Sequence, residues 1–181
     1  MQNNTILDKA IRRIADFPKP GILFYDITSV LTNPDVFHWT ILEAEKKYAP
    51  LVKSGNINAV AAVESRGFLF ASPLALTFNL PLILIRKKGK LPGDVFRASY
   101  KLEYGEAEIE VHKADLKKSQ KILLIDDLIA TGGTLDAGKR LVAQGGAEVT
   151  EIFGIIGLSF LGYKDFLSPT PVTTLIEYES E

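Results

Sequence analysis

Cysteine is absent from the 181 residues. Without a thiol there is no disulfide framework, no thiolate nucleophile and no zinc–thiolate site. Histidine is scarce. His38 and His112 are the only two, and they lie apart from each other and from every motif described below. A multi-histidine metal site is therefore excluded, and both read as structural or surface residues. Neither sign of charge dominates: 21 Lys plus Arg face 22 Asp plus Glu, a net charge of −1. No global basic excess draws the chain to nucleic acid or to an anionic membrane. Any anion site must be local, built from backbone groups and a few placed cations. Long apolar runs are missing as well. No stretch approaches the ~18 residues of a membrane span, and the polar start, Met1 to Lys9, has no apolar signal core. A cytoplasmic location is the expectation. What remains is ordinary globular composition, 46% apolar and 24% charged, at a length suited to one domain over 1–181.

The hydrophobic pattern predicts a first helix over 4–15, with Ile6, Leu7, Ala10, Ile11 and Ile14 on one face. Phe17-Pro18-Lys19-Pro20-Gly21 ends it. A second helix is expected from Pro34, capped by Asn33, to about Val52. Strands and helices then alternate. Strands are read at Ala59–Val63, Pro81–Ile85, Lys121–Ile125, Glu148–Leu158 and Val172–Tyr178. Helices are read at Gly67–Phe78 and Thr134–Gln144, with a short one before the last strand. Ile122 to Ile125 is apolar at successive positions, so both faces of that strand are buried, as in a parallel sheet between helices. The order implies a doubly wound α/β core. Residues 86–116 break the pattern, and Phe96 to His112 reads as a hairpin or mobile arm.

The strongest chemical signal is Ile122-Leu123-Leu124-Ile125-Asp126-Asp127-Leu128-Ile129-Ala130-Thr131-Gly132-Gly133-Thr134. A buried strand ends in two carboxylates, and a glycine turn leads into a helix. Ligands in open α/β sheets sit at the carboxyl ends of strands. The glycines let backbone N–H groups aim at a ligand, and the helix N-terminus adds positive potential, so the turn is a phosphate cradle without a lysine. Two carboxylates beside it suit ribose hydroxyls or a magnesium ion. For both to serve one ligand, the strand must already be turning at Asp127. A Walker loop needs Gly-Lys-Ser/Thr and a dinucleotide fingerprint needs Gly-x-Gly-x-x-Gly, and neither is present.

These thirteen residues resemble the phosphoribosyl-pyrophosphate motif of the type I phosphoribosyltransferase family. Four further segments resemble its adenine-using members: Asp16–Phe24, Glu64–Phe68, Arg86–Gly93 and Ser99–Gly105. The resemblance implies the family's fold, a central, mostly parallel sheet flanked by helices, with an N-terminal hood (1–35) and a basic run plus flexible lid or hairpin (86–112). It implies purine salvage: adenine N9 displaces pyrophosphate from phosphoribosyl pyrophosphate, giving AMP. It also implies Mg²⁺ accompanying the donor, held mainly by pyrophosphate and water, and a homodimer.

Residue by residue, the resemblance assigns the 5′-phosphate to Ala130, Thr131, Gly132, Gly133 and Thr134. Asp126 and Asp127 contact the ribose and face its developing positive charge. Glu64, Ser65, Arg66 and Gly67 form the pyrophosphate loop, with a cis peptide between Glu64 and Ser65. Arg86 reaches pyrophosphate, and Lys87 is a weaker candidate. Glu103 and Tyr104 close over the ligands, Glu103 protonating adenine N7 or only holding the base. Phe24 stacks on adenine, the backbone near Leu23 reads its edge, and Leu158 packs on the other side. Two positions depart from the family: Tyr25 stands where arginine is common, and Gly157 where glutamate is common. Two alternatives stay open, an enzyme for another base and a non-catalytic phosphoribosyl-pyrophosphate sensor. Such sensors usually add a DNA-binding domain or a basic face, and this sequence has room for neither.

Overall fold

The computed structural model describes residues 5–101 and 105–180. The expected first helix is shorter than its apolar pattern. Helix α1 covers Thr5–Ala10, and the chain then extends as β1, Arg12–Ile14. A tertiary partner overrides the helical spacing, because β1 pairs antiparallel with β2, Phe24–Asp26. Arg12 N–H also donates to Ser29 Oγ at 2.9 Å. Leu7 and Ile11 are buried, while Ile14 remains exposed. A short helix α2, Thr28–Leu31, follows. Helix α3, Pro34–Lys53, starts where its signals place it, with Asn33 Oδ1 accepting from Val36 N–H at 3.3 Å.

The remaining strands form one sheet of seven. They are β3 (Ala59–Val63), β4 (Leu82–Lys87), β5 (Val95–Lys101), β6 (Glu106–His112), β7 (Lys121–Ile129), β8 (Glu148–Leu158) and β9 (Val172–Tyr178). Their order is β5-β6-β4-β3-β7-β8-β9. Strands β4, β3, β7, β8 and β9 are parallel neighbours, and the β5–β6 hairpin joins antiparallel at the β4 edge. Helices α4 (Gly67–Phe78), α5 (Gly133–Gln144) and α6 (Tyr163–Leu167) fill the connections.

Alternation along the central strands divides the core in two. Val60, Ala62, Leu123 and Ile125 pack with Phe70 and Leu74 of α4. Ala59, Ala61, Ile122 and Leu124 pack with Leu135, Leu141 and Val142 of α5. Burial on both faces is what the unbroken apolar runs require. Strand β7 is longer than expected: it runs through Asp126 and Asp127 to Ile129. The reason is its neighbour β8, which carries Asp126, Leu128 and Ile129 in register with Gly154, Ile156 and Gly157.

The departure at Gly157 is a packing choice. A Cβ there would lie 2.2 Å from the hydroxyl of Tyr163. That tyrosine is fully buried and donates to Glu177 Oε1 at 3.1 Å. Its ring occupies the space a side chain at 157 would need. No helix among the described residues is long and apolar enough to cross a membrane.

Candidate active site

Three adjacent central strands, β4, β3 and β7, deliver the site at their carboxyl ends. After β3 the chain makes the Glu64-Ser65-Arg66 turn and enters α4 at Gly67; the Glu64–Ser65 peptide is cis. Gly67 is required by close approach. A Cβ there would meet Ile125 O at 2.9 Å and Asp126 Cα at 3.2 Å. Its absence lets the start of α4 sit directly on the carboxylates of β7. After β7, Ala130 and Thr131 lead to Gly132, whose φ of 85° opens α5. Two twelve-residue helices thus begin beside one another, each with the positive end of its dipole at the site.

Two cavities lie between these turns. The smaller, about 80 Å³, is lined by Ala130, Thr131, Gly132, Gly133 and Thr134 together with Asp126 and Leu128. The larger, about 230 Å³, is lined by Glu64, Ser65, Arg66, Lys87, Tyr100, Asp126, Asp127 and Thr134. Both aspartates reach this cavity although β7 does not turn at Asp127, so the requirement drawn from strand alternation does not hold. Asp126 Oδ1 folds back to accept from Asp127 N–H at 2.9 Å. Asp127 is 5% exposed and accepts from Arg66 Nε at 2.6 Å.

The charges here are strongly tuned. Burial, with the neighbouring Asp127 charge, holds the Asp126 carboxyl well above the usual carboxylate range. Burial opposes the charge on Arg66, but its hydrogen bond to Asp127 and the charges of Asp127, Asp126 and Asp26 together outweigh it and strengthen the guanidinium. Burial also works against the Glu64 carboxylate, yet Lys87 N–H and Arg86 bring it below its ordinary value. Arg86 Nε donates to Glu64 Oε2 at 3.1 Å and Lys87 N–H to the same oxygen at 3.0 Å.

Most of the predicted phosphate and ribose residues therefore converge. Of the basic pair, Lys87 lines the cavity while Arg86 turns to Glu64 and to Lys90 O. Leu23, Phe24 and Leu158 are not on these cavity walls. Leu23 and Leu158 pack against the α4-side core, and Phe24 meets Phe17 edge-on, ring centres 5.0 Å apart. Glu103 and Tyr104 lie outside the described residues. The structure adds two residues that the sequence reading passed over. Tyr100 lines the larger cavity. Glu110, fully buried, accepts from Lys90 N–H and Leu91 N–H, each at 2.9 Å, and so holds the turn after β4.

Among the described residues no three acidic or histidine side chains group to cage a metal. The hard oxygens of Asp126 and Asp127 beside an anion cavity fit a magnesium ion that a phosphorylated ligand brings with it.

Comparison with known proteins follows this geometry. Residues 38–158 match the phosphoribosyl transferase domain. An adenine phosphoribosyltransferase of Treponema denticola is 55% identical over all of this chain and 93% of its own length. One from Borreliella burgdorferi is 46% identical over 98% of this chain and 99% of its own. Among solved structures, the adenine phosphoribosyltransferase of Thermoanaerobacter pseudethanolicus superposes with a TM-score of 0.88 at 37% identity, covering 96% of this chain and 99% of that one. That of Saccharomyces cerevisiae, complexed with an imino-altritol bisphosphate and adenine, gives 0.87 at 37% identity over 95% and 97%. With identity of this level spread over the whole length, and the glycine turn, the aspartate pair and the cis-peptide loop in place, the chain belongs to the adenine phosphoribosyltransferase family.

Proposed function

We propose that this chain transfers the 5-phosphoribosyl group of phosphoribosyl pyrophosphate to adenine, giving AMP and pyrophosphate. The observation that carries the reading is the pair Asp126–Asp127 set between two helix N-termini, each suited to an anion. In this reading the 5′-phosphate rests on Ala130 to Thr134. Pyrophosphate lies against Ser65, Arg66, Gly67 and Lys87. The ribose bridges them over the aspartates. Adenine N9 bonds to C1 as the bond from C1 to the pyrophosphate oxygen breaks; that bond's electron pair leaves with pyrophosphate and the proton of N9 passes to solvent. Positive charge develops on the ribose, where Asp127 faces it, and negative charge leaves toward Arg66 and Lys87. Asp126, its carboxyl held above the usual range by burial and the Asp127 charge, meets the neighbouring ribose hydroxyl. Magnesium, when bound with the donor, screens the pyrophosphate charge.

The base is held between Phe24 and Leu158, with Leu23 reading its edge. Glu103 and Tyr104 close over it and exclude water, which would otherwise hydrolyse the donor. The reading carries with it a cytoplasmic location, a homodimer, and one functional unit with a hood over 1–35 and a lid within 86–112. Leu69 and Leu76, two turns apart on α4, stand 45% and 83% exposed, which supports a surface covered by a second copy.

One assay tests the reading. Initial rates are measured with phosphoribosyl pyrophosphate and, in turn, adenine, hypoxanthine, guanine and orotate, with and without a chelator. Turnover is expected with adenine alone, abolished by chelation and restored by magnesium. Preference for another base, or full turnover in excess chelator, overturns it.

A further inference from the structure

The two walls assigned to the base come from distant parts of the chain, and a clasp joins them. Phe24 and Tyr25 are adjacent on β2, so their side chains leave the strand on opposite faces. Tyr25 is buried and stacks on Tyr178 at the end of β9, ring centres 4.1 Å apart and planes 13° from parallel. Tyr178 in turn is the register partner of Leu158 on β8, which places both side chains on one face of the sheet. Ser159 Oγ fixes the same corner by donating to Tyr178 O at 3.0 Å. Around the stack, Tyr178 donates to Asp8 Oδ1 at 2.8 Å, and Arg13 Nη2 donates to the same oxygen at 2.5 Å. Arg13 is the cross-strand partner of Tyr25, and its guanidinium carbon lies 5.4 Å from the Tyr178 ring centre. The hood therefore meets the sheet edge through rings, one carboxylate and one cation, all drawn from β1, β2, α1 and β9.

We infer that Tyr178, with Tyr25, is a positioning residue that sets the width of the base slot by tying the strand of Phe24 to the partner of Leu158. The inference rests on the proposed assignment of those two walls to adenine. Neither tyrosine touches the donor cavities, so loosening the clasp moves one wall of the base slot and leaves the phosphate turns in place. Its signature is a selective loss of base affinity.

The experiment compares wild type, Tyr178→Phe, Tyr178→Leu, Tyr25→Leu and the double leucine variant. Adenine KM and kcat come from initial rates, and donor affinity from calorimetric titration with phosphoribosyl pyrophosphate. Tyr178→Leu keeps apolar bulk but loses the flat face. It is expected to raise the adenine KM by roughly tenfold, about 1.4 kcal/mol, with donor affinity within about twofold. Tyr178→Phe keeps the face and is expected to restore most of the affinity. The double variant is expected to be no worse than the worse single one, because both remove one contact. An unchanged adenine KM in both single leucine variants overturns the clasp. So does a KM rise matched by equal loss of donor binding, which marks general destabilisation. A wild-type enzyme that does not turn over adenine overturns the proposed function itself, a result distinct from either.

Discussion

At the residue scale, two of the site's carboxylates are matched to cations before any ligand arrives, Asp127 to Arg66 and Glu64 to Arg86. Asp127→Asn keeps shape and removes the charge that faces Arg66 and, in the proposed reading, the ribose. Turnover is expected to fall by about 10²–10³ with little change in melting temperature; near-normal turnover reduces Asp127 to an ion-pair partner of Arg66. Glu110 offers a test through pH. Burial works against its charge, but the N–H groups of Leu91 and Lys90 and the Arg97 side chain outweigh this and depress its proton affinity. A depressed folded value gives stability that is present above the unfolded value, about 4.3, and is lost as pH falls through the folded one. Glu110→Gln is expected to cost about 1 kcal/mol at neutral pH, the difference between a charged and a neutral acceptor. Denaturant titrations should show that deficit shrinking below about pH 4, and a deficit that grows in acid contradicts the assignment. Glu110 was not legible in the sequence. Glu106, Glu108 and Glu110 alternate with Ala107, Ile109 and Val111, which reads as a solvated face. The turn that covers the last of the three is set by tertiary contact.

At the element scale, legibility follows how local the cause is. Strands β8 and β9 and helix α4 match their sequence boundaries, because glycine, proline and asparagine at their ends act within a few residues. The two turns proposed to hold phosphate and pyrophosphate were legible as turns for the same reason, each being one contiguous segment. Strand β1 was not: three residues carry no period of their own, and their extension depends on β2. The far end of β7 was set by β8. The contact of hood with sheet margin, on which the proposed base slot depends, was the least legible part, since it needs the first strands and the last one side by side. The hairpin β5–β6 raises a separate question, the part played by Glu103 between its strands. If closure brings this carboxyl to adenine, Glu103→Ala binds phosphoribosyl pyrophosphate normally and loses much of its rate. Glu103→Gln then separates two roles: rescue of the rate means the residue only holds the base, and failure to rescue means it supplies a proton. If neither substitution slows the enzyme, the residue plays no part.

At the scale of the whole molecule, the proposed homodimer is expected to sediment at about twice the 19.9 kDa chain mass, and an active species of chain mass contradicts it. The order of the strands has a consequence of its own. The turns assigned to the donor hang from β4, β3 and β7, in the interior of the sheet. The walls assigned to the base belong to the two-stranded hood and to the β8–β9 margin. Interior strands open only with global unfolding, whereas margins open at lower free energy. The two substrates thus report on regions of unequal resistance to denaturant. In urea short of the main transition, adenine affinity is expected to decay first, while calorimetry still registers the donor at full strength. Simultaneous loss of both would mean that hood and sheet unfold as one cooperative unit. Where adenine affinity decays first, mild heat or solvent stress turns the enzyme into a reversible reservoir that keeps its phosphorylated substrate and lets go of the base.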